Sequence, residues 1–167
     1  MQTNNHPTTQ QIKTGGAAPI PGGRPDVDKS QAGSGLAEIF GEPISNYTRA
    51  QALDDGILID AGTMAREAGF SIPVALTAAA WADSVAWSES DSKRQTYQDE
   101  GGRLWDVLWM AADAARRNRG TDRVQFRFYR VPRGGKGTKP RLMTLRLTIG
   151  PGDQGGPVAT ILMLDED

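Results

Sequence analysis

The stretch Val124-Gln125-Phe126-Arg127-Phe128-Tyr129, followed by Leu142-Met143-Thr144-Leu145-Arg146-Leu147-Thr148-Ile149, decides the fold class. Val124, Phe126 and Phe128 alternate with Gln125, Arg127 and Tyr129; Met143, Leu145, Leu147 and Ile149 alternate with Leu142, Thr144, Arg146 and Thr148. A period of two sends successive side chains to opposite faces and marks half-buried strands. A third run, Val158 to Leu164, is apolar on both sides. Turn-rich segments join the three, most simply as an antiparallel meander. The predicted fold is therefore α+β, a helical N-terminal half packed on a C-terminal three-stranded antiparallel sheet.

Upstream of the strands the apolar period becomes helical. Leu104, Leu108, Ala111 and Ala115 form one stripe with Trp105, Trp109 and Ala112 beside it, predicting the longest helix. Asp99 near its start and Arg116, Arg117 and Arg119 at its end suit the helix dipole. Pro73 to Ser88 reads as an Ala-rich helix, with Thr77 as cap of its continuous part. Thr48 with Gln51 has the shape of a capping box opening a short helix before Gly56, and Thr63 is placed as the cap of another, closed by Gly69. Ile57-Leu58-Ile59-Asp60 is a short strand-like run, a candidate addition to the sheet edge. Ser88 to Gln98 is polar and charged and is read as a loop. Trp81, Trp105 and Trp109 fall on helical stripes and are read as core; Trp87 does not, and for it an exposed interface place is the alternative to core.

Residues 1–35 are dominated by Thr, Asn, Gln, Gly and Pro, with Met1, Ile12, Ile20 and Val27 as the larger aliphatics. So little apolar surface does not offset the ordering entropy of the backbone, about 1–2 kcal/mol per residue. The expected organisation is a disordered tail over 1–35 and a single α+β domain over 36–167. No apolar run approaches the roughly 20 residues of a membrane span, and Met1 to Thr14 has neither a basic start nor an apolar centre, so no signal peptide is read there. With no Cys there is no disulfide framework, in keeping with a cytoplasmic protein.

The same composition removes much chemistry. His6 is the one histidine and lies in the tail. Without Cys or a folded His, serine triads, thiol nucleophiles and thiolate or imidazole zinc sites are excluded. Gly150-Pro151-Gly152-Asp153-Gln154-Gly155 has dinucleotide-loop spacing, but Pro157 and a strand follow where a phosphate-binding helix is required. Gly134 to Lys139 lacks the upstream glycine and the Ser or Thr after lysine of a phosphate loop. Both are read as turns. Asp83, Glu89, Asp91, Asp99, Glu100 and Asp106 surround the segment between the two main helices, and Asp91-Ser92-Lys93 has the D-x-K spacing of some nucleases. A divalent-metal-dependent hydrolase or nuclease is the alternative reading, but that motif belongs on a strand and here lies in a polar segment. No catalytic residue, metal site or cofactor is assigned.

The net charge of −1 conceals a strong asymmetry. Residues 36–70 carry a net −4, 71–100 a net −3 and 151–167 a net −4, whereas 116–146 carry eleven basic groups against Asp122 alone, net +10. The basic block includes the segment Val131 to Pro140, longer than the about two to five residues usual for a hairpin. Basic groups with an interleaved aromatic around such a loop suit a phosphate backbone. The candidate residues for nucleic acid or another anionic partner are Arg127, Tyr129, Arg130, Arg133, Lys136, Lys139, Arg141 and Arg146. An ordinary surface, with arginines guarding strand edges, is the alternative for the same residues.

Three segments carry a family resemblance: Tyr47 to Gly56 (YTRAQALDDG), Gly102 to Trp109 (GRLWDVLW) and Ile149 to Asp153 (IGPGD). From about Ile39 to Asp167 the chain resembles an uncharacterised family of small proteins encoded on bacterial plasmids, phages and integrative elements. The resemblance implies a mobile-element setting and transfers no reaction and no catalytic residue. It also suggests interference with host defence. The expected function is thus non-enzymatic binding of nucleic acid or of a host nucleic-acid-targeting complex, as in an anti-CRISPR or antirestriction inhibitor, with no membrane partner.

Overall fold

The computed structural model describes residues 47–166, so the expectation for the tail at 1–35 lies outside the described residues. The elements in chain order are α1 (Arg49–Asp54), β1 (Leu58–Asp60), α2 (Gly62–Glu67), β2 (Val74–Thr77), α3 (Ala78–Ser84), α4 (Glu89–Arg94), α5 (Glu100–Arg117), β3 (Arg123–Arg130), β4 (Arg141–Pro151) and β5 (Pro157–Leu162).

The strands form one five-stranded mixed sheet in the order β1-β2-β5-β4-β3, which corrects the three-stranded antiparallel expectation. β3, β4 and β5 are joined antiparallel, but the sheet continues past β5. β2 pairs parallel with β5, Ala75 opposite Thr160, and β1 closes the far edge antiparallel to β2. Val74, Ala75 and Leu76 fall within the span whose sequence predicts an Ala-rich helix. All three are buried, on both faces of the sheet, and a strand covered on both faces shows no period of two. Only at Thr77 does the chain turn helical, its Oγ1 accepting from the Ala80 N–H at 3.1 Å.

The helices do not form a separate N-terminal layer either. Ala61, Ala65 and Ala68, with Ala80 and Val85, and with Leu104, Val107, Leu108 and Ala111 of α5, pack with Phe126, Phe128, Leu145, Leu147, Ala159 and Ile161 on one sheet face. α1 lies against the opposite face. Arg49 donates from Nη1 to Thr160 Oγ1 at 2.8 Å, and Thr160 points away from its core neighbours Ala159 and Ile161. The Thr48–Gln51 capping box opens α1. Asp153, in the β4–β5 turn, accepts from the N–H groups of Arg49 and Ala50 at 2.8 and 2.9 Å, joining α1 to a turn more than a hundred residues later.

Three local expectations change. α2 starts one residue before Thr63, with the Gly62 N–H held by Asp60 Oδ1 at 3.1 Å, and after its C-cap Ala68 it is closed, as expected, by Gly69, whose φ of +104° suits glycine. The segment read as a loop from Ser88 contains α4. The tryptophans exchange roles: Trp87 is buried at 7% exposure, whereas Trp109 is 48% exposed. Trp87 is held from both sides, its Nε1 donating to Ser92 Oγ at 2.9 Å and its ring lying 4.7 Å beneath the Arg103 guanidinium. Among the described residues no helix is long and apolar enough to cross a membrane.

Candidate anion-binding hairpin

The segment between β3 and β4 runs from Val131 to Pro140 and is held at several points along its length. Ser88 caps α4 and Asp91 completes a capping box with it. Asp91 is buried at 1% exposure yet ionised groups surround it. Its Oδ2 accepts from Ser88 N at 3.0 Å, Ser88 Oγ at 2.6 Å and Arg133 Nε at 2.8 Å, and its Oδ1 accepts from Arg94 Nη2 at 2.6 Å. The Ser88 hydroxyl and amide, then Arg133 and Arg94, hold this carboxyl far below the usual carboxylate range, against burial, which pushes it up.

Gln95 follows directly after α4 and its Nε2 donates to Pro132 O at 2.9 Å and to Gly137 O at 2.7 Å, tying two points of the loop together. Arg103 of α5 donates from Nη1 to Val131 O at 3.1 Å and from Nε to Val85 O at 3.0 Å. Burial lowers its pKa, and the Arg130 charge adds to this. A long, glycine-rich segment is thereby given a fixed path. It encloses a concavity of about 470 Å³ lined by Arg133, Lys136, Lys139 and Arg141 together with Gln95 and loop main chain.

The eight candidate residues divide into three groups. Arg133, Lys136, Lys139 and Arg141 meet at the concavity. Lys136, Lys139 and Arg141 are exposed, and none has an acidic partner among the described residues. Arg127 and Tyr129 are exposed on the outer sheet face, away from the Phe126 and Phe128 side. Arg130 and Arg146 are used internally. Arg130 shares the face of Phe128 and donates to Asp83 of α3. Arg146 shares the outward parity of Arg127, as expected, but the segment after β5 covers it. Its Nη2 donates to the carbonyls of Leu164 and Glu166, the latter at 2.8 Å.

Asp91, Gln95 and Arg103 shape the loop; the sequence offers Asp91 only as one of the scattered carboxylates and gives no role to Gln95 or Arg103. Ser88-x-x-Asp91 is itself a capping signature, so α4 had a local signal. Gln95 and Arg103 act on main chain far along the sequence and had none. The carboxylates offered for a metal are dispersed, and four of the six are engaged: Asp83 with Arg130, Asp91 with Arg94 and Arg133, Asp99 as cap of α5, and Glu100 accepting from Trp87 N. Among the described residues no group of three or more metal-ligating side chains exists.

No curated protein and no solved structure matches this chain. A family model does match, over residues 38–167, and it covers the whole sheet and the hairpin. The chain belongs to the family of unknown function DUF6573.

Proposed function

We propose that this chain is a non-enzymatic binding protein that grips the phosphate backbone of nucleic acid with the β3–β4 hairpin. Lys136, Lys139 and Arg141 make the contacts, and Arg133 anchors the loop. One observation carries the reading. A buried carboxylate, Asp91, is committed to holding Arg133, while the neighbouring cations are left without acidic partners on a preshaped loop. Fixing the loop in advance reduces the ordering cost of binding. In this reading the protein serves a mobile genetic element and blocks a host nucleic-acid-targeting complex of the CRISPR or restriction kind. The resemblance of its YTRAQALDDG and GRLWDVLW segments to proteins of such elements supports that setting.

The experiment is a titration of the full chain with labelled single- and double-stranded DNA and RNA at two salt concentrations. Three phosphate contacts predict an affinity that falls roughly forty-fold between about 50 and 200 mM salt on duplex DNA. A K136A/K139A/R141A variant with an unchanged circular dichroism spectrum is expected to lose both the binding and its salt dependence. Absence of binding to all four ligands at the lower salt overturns the proposal.

A further inference from the structure

β3 is the last strand of the sheet, and one of its two edges is open. The Ile149 N–H donates to the Asp122 carbonyl at 2.7 Å, one step beyond the Arg123–Thr148 pair. Antiparallel hydrogen bonding alternates along a strand. The main-chain groups of Val124, Phe126, Phe128 and Arg130 therefore point into β4, and those of Arg123, Gln125, Arg127 and Tyr129 point out of the sheet. Among the described residues no strand pairs with that edge. Its pairing with β4 is continuous over all eight residues, with neither a bulge nor a proline to blunt it.

Beside this edge lies a groove of about 480 Å³. Its helix wall is Trp105 and Trp109 of α5, whose rings stack with centroids 5.8 Å apart. Its outer lip is Arg127, Tyr129 and Leu142. Trp109, Tyr129 and Leu142 are 48%, 68% and 51% exposed, a concentration of large apolar surface of the kind found at interaction sites.

The edge itself narrows the choice of occupant. A DNA backbone offers acceptors only and leaves the outward carbonyls of β3 unpaired. A second β3 would add its own Arg123 and Arg127 to the two already on this outer face, concentrating like charge across the new strand pair, which disfavours it. A peptide strand satisfies both donors and acceptors. Its side chains alternate, one set toward α5 and the other toward the outer face. The first set meets the tryptophans. The second meets Arg123 and Arg127, which have no acidic partner among the described residues. Asp106 on the helix wall disfavours a carboxylate on the first set.

We infer that the open edge of β3 takes up an extended segment of a partner protein as a sixth strand, apolar side chains facing Trp105 and Trp109 and acidic ones facing Arg123 and Arg127. This surface is distinct from the hairpin concavity and does not depend on nucleic-acid binding there.

The test is a fluorescence-anisotropy titration of the full chain with a labelled peptide of about nine residues alternating Glu with Ile, Phe and Val. The control is the same peptide N-methylated at alternate amides, unchanged in charge. Two variants accompany it. Gln125→Pro removes an outward N–H without touching the β4 ladder, and Trp109→Ala, at a half-exposed position, keeps the test valid if the proline variant fails to fold. The parent peptide is expected to bind, and N-methylation and each folded variant are each expected to weaken it by about tenfold or more. No binding of the parent peptide, or equal binding of the N-methylated one, overturns the inference. So does a dimer in sedimentation that Gln125→Pro abolishes, which assigns the edge to a second copy, or displacement of the peptide by an oligonucleotide, which assigns the groove to nucleic acid.

Discussion

Asp91 Oδ2 accepts from Arg133 Nε at 2.8 Å, joining the first turn of a short helix to a hairpin loop 42 residues later. The carboxylate is buried and the guanidinium is partly exposed, at 1% and 42% of their side-chain surface. The contact leaves one face of Arg133 to solvent while its position is set from beneath. It converts α4 from a surface turn into the support of the basic hairpin.

Replacing Asp91 by Asn keeps the shape and removes the charge. The Ser88 contacts are then weakened and Arg133 and Arg94 lose their shared partner. We expect the melting temperature to fall by roughly 5 °C or more and nucleic-acid affinity to fall with it. Differential scanning calorimetry and the salt titration read the two effects separately.

The same carboxylate predicts an acid dependence. Its pKa is lowered in the folded chain, so its stabilising contribution is complete above the unfolded value of about 3.9 and is lost progressively as pH falls below it. Urea midpoints of the parent chain are expected to drop from about pH 4 downward, and those of Asp91→Asn to drop less over the same interval. Parallel curves would remove Asp91 from the account.

Gln95→Ala separates loop shape from loop charge. The variant retains every cation but loses the bonds to Pro132 O and Gly137 O. Binding is expected to weaken about three- to tenfold, with its salt slope unchanged, because the slope counts phosphate contacts and not loop order. A changed slope with unchanged affinity would contradict this.

Arg130 tests the internal use of a residue that charge counting assigns to the surface. Its side chain is 11% exposed and paired with Asp83. Arg130→Ala is expected to cost about 2–3 kcal/mol in urea unfolding, less than the roughly 3–5 kcal/mol of a fully buried broken pair because Asp83 is itself partly solvated. Combined with Asp83→Leu the loss is expected to shrink, and nucleic-acid binding by the folded fraction is expected to persist.

Asp153→Ala probes the docking of α1. It removes the acceptor for the Arg49 and Ala50 N–H groups, which lower the pKa of that carboxyl. Amide exchange in α1 is expected to speed up by roughly tenfold, as after loss of a helix cap, while β3 and β4 stay protected. Uniform acceleration would mean that α1 and the sheet open as one unit.

The family resemblance read from YTRAQALDDG, GRLWDVLW and IGPGD is matched by a family of unknown function over residues 38–167. Much of the rest was legible because it is local. The alternation at Val124–Tyr129 and Met143–Ile149, the caps at Thr48 and Thr77, the acidic start of α5 at Asp99 and the closing of α2 by Gly69 all depend on neighbours within a few residues. The charge asymmetry from which all eight candidate residues are drawn is likewise plain in the sequence, whereas their division into free and internally used groups is not. The register of Phe126 opposite Leu145 follows the same pattern. The tertiary structure alone decided three things. It placed β2 parallel to β5, since a strand of Val, Ala and Leu buried on both faces has no period to distinguish it from an Ala-rich helix. It covered Arg130 and Arg146, since strand parity gives the face of a side chain but not whether α3 or the segment after β5 lies over that face. It buried Asp91 and set Gln95 and Arg103 against the loop main chain, since hydrogen bonds between residues dozens of positions apart arise only when the sheet has brought those residues together.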